Sequence, residues 1–210
     1  MSRWLRIAEL AAVFLLVEAR IWIFYQNYKI TAVVIPLIIL LASWRWRDGF
    51  LLKTLGLRPE WSWRGYPFLI SSFCVLISVI LISGIYWQPG ITLSVTQSLI
   101  LAGVLKYYLW ALFQQLCLNG YFANGIYACT KNHRLTVFLS AILFAVIHLP
   151  NPALTVAGFF GGLASAHFFL INRNLYPLAL GHALLGTSIR YFLPFSWHNN
   201  LTIGHGFINF

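Results

Sequence analysis

Acidic side chains are almost missing from this sequence, which contains four, Glu9, Glu18, Asp48 and Glu60, against 14 Lys and Arg. From Trp61 to the C-terminus, a stretch of 150 residues, there is no Asp or Glu. This absence excludes a pair of catalytic carboxylates from that part of the chain, and also a metal site of two histidines and a carboxylate. Only the first apolar segment can supply a carboxylate, and Glu18 is the candidate because it is an ionisable residue inside that segment.

Charged residues of both signs are also scarce, at 9% of the chain, whereas 60% of the residues are hydrophobic. A soluble domain carries about 25% charged residues, so the solvent of this chain is largely lipid. The apolar runs predict an all-α fold, a single membrane domain over residues 1–210 built as a polytopic helix bundle with about seven transmembrane helices. The predicted spans are 5–25, 30–44, 65–87, 95–128, 133–149, 152–171 and 174–195. The fourth is too long for one straight helix, so it either continues past the membrane or breaks near Gly120 or Gly125.

Basic residues follow the alternation of the predicted loops. Ten Lys and Arg fall on one side of the bundle and only Lys29 on the other, which favours a cytoplasmic N-terminus and an outside C-terminus. The net charge of +10 therefore fits the positive-inside rule and attraction to anionic membrane lipids. The sequence contains no basic surface domain that would bind nucleic acid. We expect the plasma membrane of a bacterium or an archaeon as the location.

Polar side chains interrupt the fourth apolar segment at Gln114, Gln115 and Asn119. In a helix, Gln115 and Asn119 share a face because they are four residues apart. A side-chain amide is costly in hydrocarbon without a partner, so we expect these three to face the protein interior or a wet cavity. His148 and His182 stand at or near the ends of two later apolar runs, and histidine can act as acid, base or metal ligand near neutral pH. The residues alone leave open whether these groups only join helices or form one site.

The same stretches resemble the three motifs of the CPBP family, the CAAX-type and bacteriocin-processing (Abi) intramembrane proteases. Residues 114–122 resemble its first motif, Glu-Glu-x-x-x-Arg followed by Gly and an aromatic or aliphatic pair, and residues 144–148 match its second, Phe-x-x-x-His. His182 fits the third motif, although Gly186 stands where the family has Asn or a similar small polar residue. The motif region covers about residues 95–190. The resemblance implies a helical membrane hydrolase that cleaves peptide bonds inside the membrane.

The first motif departs from the family at each charged position. Gln114 and Gln115 replace the two glutamates, and Asn119 replaces the arginine. In the family, the glutamate is taken to activate the attacking water, while the histidines position that water or stabilise the oxyanion. A glutamine amide holds water but cannot accept its proton, and Asn119 lacks the fixed charge of arginine. Because Gln keeps the size and polarity of Glu, we predict a pseudoenzyme that binds a peptide or a transmembrane segment of a partner with weak or no cleavage.

The alternative is an active intramembrane endopeptidase that processes a membrane, prenylated or peptide substrate through His148 and His182. In one form the histidines act as the base, and Gln114 and Gln115 donate hydrogen bonds to the oxyanion. In another form Cys117 is the nucleophile and one of the histidines is its base. A transporter or lipid-interacting module is a third class, but the sequence shows no inverted repeat that would favour it.

Two further roles stay open at this point. His148 and His182 would be the ligands of a zinc ion, but two histidines hold zinc only with further ligands, which the sequence does not provide, so no cofactor is predicted. Glu18 either joins the site or pairs with one of three basic residues, Arg20, Lys106 or Arg190.

Overall fold

A computed structural model describes residues 2–24, 52–57, 63–88 and 93–209, except for the side chains of residues 93–98. These residues form helices and connecting turns without any β-strand, which confirms the predicted all-α class. The elements are α1 (Arg3–Trp22), α2 (Tyr66–Trp87), α3 (Leu93–Gln115), a π-helix (Leu116–Ala123), α4 (Asn124–Thr130), α5 (His133–Val146), α6 (Pro152–Asn172), α7 (Tyr176–Phe192), α8 (Phe195–His198), a 3-10 turn (Asn199–Leu201) and α9 (His205–Ile208).

Several helices have the length and composition of membrane spans. Within the described ranges, those long and apolar enough to cross a bilayer are Tyr66–Trp87, Leu99–Thr130 and Pro152–Asn172, and α5 is a shorter apolar helix. The outer face of α2 exposes Ile70, Val75 and Ile82, a band that fits contact with lipid tails. The chain is therefore an integral membrane protein. The count of seven spans is not confirmed, and the predicted span 30–44 lies outside the described residues.

The fourth predicted span is one long helix that does not break; instead, its backbone hydrogen-bond register changes. Residues 99–130 stay helical over 32 residues, which corresponds to about 48 Å and exceeds the hydrocarbon core of about 30 Å. Between Leu116 and Ala123 the backbone widens to a π-helix that contains Gly120. A Cβ at Gly120 would lie 3.2 Å from the carbonyl oxygen of Leu55, so the close chain approach favours glycine there. π-Helical turns are rare and occur frequently at functional sites.

Asparagine side chains begin the two helices that flank the second motif. Asn132 caps α5 and Asn151 caps α6, each by accepting a hydrogen bond from a backbone N–H three residues on at 3.1 Å. Asn151 is fully buried and also donates to the carbonyl oxygens of His198 at 2.8 Å and Thr202 at 2.9 Å. These bonds hold the C-terminal segment against the start of α6, where it closes one side of the site described below.

Small residues let the motif-bearing helices approach each other closely. Where α5 meets α6, a Cβ on Gly162 would lie 2.9 Å from the Cα of Ala141. Where α3 meets α7, a Cβ on Gly103 would lie 2.7 Å from the side chain of Thr187. Close backbone approach of this kind gives membrane helices their van der Waals contact. The largest buried apolar cluster includes Phe73, Phe168, Phe169, Leu178, Ile189 and Phe192.

Candidate functional site

The junction between α3 and the π-helix separates the two glutamines of the first motif. Gln115 is the last residue of α3 and is 2% exposed, and Asn119 in the π-helix is fully buried. Gln114 is adjacent to Gln115 and therefore lies on a different side of the helix, where it is half-buried. The two glutamines thus face different surroundings, although the sequence gives them the same chemistry.

A chain of hydrogen bonds joins the first motif to the third. Asn119 donates through Nδ2 to Oε1 of Gln115 at 2.6 Å, and Nε2 of Gln115 lies 3.2 Å from Nδ1 of His182. All three side chains are buried. Among the described residues, Oδ1 of Asn119 has no hydrogen-bond partner. None of these three hydrogen-bonded side chains is acidic. The site therefore holds neutral amides at the positions where the CPBP family has carboxylates and a guanidinium.

The second motif packs against the third through an aromatic ring. Nδ1 of the buried His148 lies 2.6 Å from the carbonyl oxygen of Phe144, one turn earlier. The Phe144 ring meets both imidazoles edge-on, with centroid distances of 4.7 Å to His148 and 5.5 Å to His182. The structure therefore brings together four of the predicted site residues, Gln115, Asn119, His148 and His182.

A small cavity lies between these groups. Its volume is about 30 Å³, and Gln115, His148 and His182 are part of its wall, with Phe144 and Gly158 beside them. A water molecule needs about 10–15 Å³ of such space and two to four polar partners. The cavity therefore has room for water in contact with the site histidines.

A second, much larger cavity also borders His148. It measures about 580 Å³, within the range of about 300–1,000 Å³ that is typical of ligand sites. Its wall is formed mainly by α1, α3 with the π-helix, the end of α5 and residues 200–206, and it includes Gln114, Cys117 and His148. Oε1 of Gln114 is buried and has no partner among the described residues. Arg20 and Arg190 also line this cavity, which places two positive charges beside a mostly apolar wall.

Tyr107 belongs to the site but was not singled out from the sequence. It lines both cavities, and its ring lies 5.7 Å from that of His182. A Cβ on Gly186 would meet the Tyr107 ring at 2.9 Å, so the aromatic ring occupies the space next to the position where the family has a small polar residue. The available signal was helical spacing, because Tyr107 precedes Gln114 by seven residues and therefore lies on the same side of the helix as Gln114.

The carboxylates of α1 contact aromatic side chains and line neither cavity. Glu18 lines neither cavity, and its Oε2 accepts a hydrogen bond from the indole N–H of Trp22 at 3.1 Å. Glu9 instead reaches the π-helix, where its Oε1 accepts a hydrogen bond from the hydroxyl of Tyr121 at 2.7 Å. No sequence signal indicated that contact, because the packing partner of α1 cannot be read from its own residues.

The residue types around the histidines do not form a metal centre in the part of the chain that the structure describes. No group of three or more His, Cys, Asp or Glu lies close enough there to hold an ion. His148 and His182 therefore have no third protein ligand among the described residues, and zinc in structural or catalytic sites needs three or four.

Comparison with known proteins agrees with the motif resemblance. Residues 96–187 match the family model described as type II CAAX prenyl endopeptidase Rce1-like. The match covers a little under half of the chain and includes all three motif stretches up to Gly186. It confirms the resemblance to CAAX-type proteases. No curated protein and no solved structure matches the chain.

Proposed function

We propose that this membrane protein, similar over residues 96–187 to type II CAAX prenyl endopeptidases, binds a peptide or a transmembrane segment of a partner with weak or no cleavage. The observation that carries the proposal is the neutral hydrogen-bonded chain Asn119–Gln115–His182. It occupies the place of the charged first motif.

The two neutral residues compensate for each other. Replacement of glutamate by glutamine alone would leave the arginine of the motif buried without a counter-charge, which costs about 3–5 kcal/mol. In this chain the arginine position is Asn119, and its amide donates to Gln115 at 2.6 Å. Leu or Val at both positions would have a lower free-energy cost of insertion into the membrane. The hydrogen-bonded pair of Gln115 and Asn119 therefore supports the proposal that the site still has a function.

The large cavity supports the binding of a polypeptide beside this chain. Its volume of about 580 Å³ and its apolar walls suit hydrophobic side chains. The backbone N–H groups of such a segment need acceptors, since an unpaired N–H in an apolar site is costly. Oε1 of Gln114 is an unpartnered acceptor in the wall of this cavity, within the described residues.

Efficient hydrolysis in the resembling family uses a carboxylate to accept a proton from water, and here only His148 and His182 remain as proton acceptors in the site. Glutamine and asparagine amides do not accept protons as general bases. Residues 61–210 contain no Asp or Glu, and Glu18 contacts Trp22. These facts support binding over cleavage.

Mass spectrometry of partners cross-linked to the protein in its native membrane tests the proposal. We expect intact partners with the unmodified protein and with His205→Ala, a control histidine that lines neither cavity. We expect loss of the partners with His148→Ala and with Gln115→Leu. Equal capture by all four proteins would show that the binding pocket is elsewhere.

A second candidate function is an active endopeptidase with Cys117 as nucleophile and His148 as its base. The observation that favours it is that both side chains line the large cavity. In that case, shortened partners would appear with the unmodified protein and disappear with Cys117→Ala. Cleavage that persists in Cys117→Ala would exclude the cysteine mechanism, and absence of shortened partners throughout would favour the binding function.

The membrane orientation is part of the proposal. The ten basic residues on one side of the predicted loops, against one on the other, support a cytoplasmic N-terminus and an outside C-terminus in the plasma membrane of a bacterium or an archaeon. Reporter domains fused separately to the two termini would test it. We expect activity of a cytoplasm-dependent reporter at the N-terminus only, and the reverse pattern would contradict the orientation.

A further inference from the structure

We infer that His148 and His182 hold opposite tautomers, so that the site offers one hydrogen-bond donor and one acceptor to an uncharged peptide amide. His182 is the donor and His148 is the acceptor. The tautomers follow from contacts inside the protein. The choice of a peptide amide as ligand rests on the proposed function.

The tautomer of His182 is set by Gln115. An amide nitrogen only donates, so Nδ1 of His182 accepts from Nε2 of Gln115 across 3.2 Å. A neutral imidazole with an accepting Nδ1 carries its proton on Nε2. The proton on Nε2 makes that nitrogen a hydrogen-bond donor, on a ring that lines the small cavity.

Asn119 fixes which way the Gln115 amide points. Its Nδ2 donates to Oε1 of Gln115 at 2.6 Å, which leaves Nε2 of Gln115 for His182. The reversed arrangement would turn both amides and place the Asn119 nitrogen where its Oδ1 now lies, buried and without a partner among the described residues. A buried carbonyl oxygen without a partner is tolerated more often than a buried N–H without one. The observed direction is therefore the favourable one.

The tautomer of His148 is set by the backbone. The carbonyl oxygen of Phe144 only accepts, so Nδ1 of His148, 2.6 Å away, carries the proton. A neutral ring then has a lone pair on Nε2. A charged His148 ring would be costly, because the ring is buried and residues 61–210 contain no Asp or Glu to neutralise it.

The two free ring nitrogens define the ligand class. Within the described residues, Nε2 of neither histidine has a hydrogen-bond partner, and both rings line the small cavity. The N–H of His182 would donate to the carbonyl oxygen of a peptide group, and the lone pair of His148 would accept a hydrogen bond from a peptide N–H. A carboxylate offers acceptors only and would face that lone pair unfavourably. Gln115 is thus a specificity-determining residue, because a carboxylate in its place would accept from Nδ1 of His182 and convert Nε2 to an acceptor.

Nitrogen-15 NMR of protein labelled at histidine, in lipid bilayers, tests the tautomers directly, because protonated and unprotonated ring nitrogens have separate chemical shifts. We expect His182 to be protonated at Nε2 and His148 at Nδ1. Gln115→Glu should move the His182 proton to Nδ1, whereas the matched control Gln114→Glu should leave it at Nε2. The same tautomer for both rings in the unmodified protein would overturn the inference, whether or not either variant folds.

The ligand class is tested in the same samples with N-methylacetamide, a single peptide group, and with acetate at equal concentration. We expect N-methylacetamide to shift the Nε2 signals of His148 and His182, and acetate to leave them in place. An equal response to both probes, a response to acetate alone, or no response would contradict the amide assignment. Because no partner protein is present, failure of the cross-linking experiment leaves the NMR result unaffected, and the two outcomes can be told apart.

Discussion

Replacement of Gln115 by leucine removes the central link of the buried polar chain, and its neighbour Gln114 provides a matched control. Both residues are glutamines in the same helix, and both receive the same substitution. They differ in that Gln115 has two hydrogen-bond partners, whereas Oε1 of Gln114 has none among the described residues. Gln115 is also more deeply buried than Gln114, so the comparison measures the loss of the hydrogen-bonded residues together with that difference in burial.

The expected magnitude follows from the groups left without partners. Gln115→Leu strands Nδ2 of Asn119 and Nδ1 of His182 in a buried site. An unsatisfied buried group costs about 1–3 kcal/mol, and hydrogen bonds between membrane helices contribute about 0.6 to 1.7 kcal/mol. We expect the free energy of unfolding to fall by about 2–3 kcal/mol for Gln115→Leu. Gln114→Leu should not lower it, because the change removes a buried oxygen that has no hydrogen-bond partner among the described residues.

A double-mutant cycle with Asn119→Leu sharpens the test. Asn119→Leu alone leaves Oε1 of Gln115 without its donor and should cost about 1 kcal/mol. When Gln115 is already leucine, the same change removes a stranded amide and should cost nothing or stabilise the protein. The coupling energy between the two positions should therefore be at least about 1 kcal/mol.

Reversible unfolding in mixed detergent micelles, followed by tryptophan fluorescence, measures these free energies, and the nine tryptophans provide the signal. Equal losses for Gln114→Leu and Gln115→Leu would refute the reasoning. So would strict additivity of Gln115→Leu and Asn119→Leu, because additive effects would mean that the two amides do not interact.

The other predictions concern the walls of the site and use the same unfolding measurement. Asn151→Ala removes a helix cap and two hydrogen bonds to the backbone of His198 and Thr202, and it should lower the free energy of unfolding by about 2–3 kcal/mol. Asn132→Ala removes a helix cap alone and should lower it by about 1 kcal/mol. Equal losses would contradict the anchoring of the C-terminal residues by Asn151. Gly186→Ala should destabilise by about 1–3 kcal/mol because its Cβ meets the Tyr107 ring at 2.9 Å. In a Tyr107→Ala background that cost should fall below about 0.5 kcal/mol, and an unchanged cost would exclude this contact as the cause.

The sequence was informative about the class of fold and about which polar residues meet. An apolar composition with few charges leaves helices as the way to satisfy backbone groups in lipid, and the structure is helical throughout the described residues. Amides within an apolar run have to find partners, and Gln115 and Asn119 find each other at the expected spacing of four residues. The order of the motifs placed the histidines in the same region.

The sequence was less informative wherever the answer depends on packing between distant segments. Identical residue types gave no reason to assign Gln114 to the large cavity and Gln115 to the small one. The π-helix is a change of register that hydrophobic periodicity does not reveal. The first helix presents two carboxylates, and only its packing against the π-helix selects Glu9, not Glu18, as the partner of Tyr121.

The most direct test of the central claim compares the length of the partner recovered from membranes that contain the natural protein or a variant with the charged motif restored, Gln114→Glu, Gln115→Glu and Asn119→Arg. If the natural site binds without efficient cleavage, the partner recovered with the natural protein is intact, and we expect a shortened partner with the triple variant. Recovery of shortened partner with the natural protein, dependent on His148, would contradict the account, because it would show that hydrolysis proceeds without a carboxylate in the motif region.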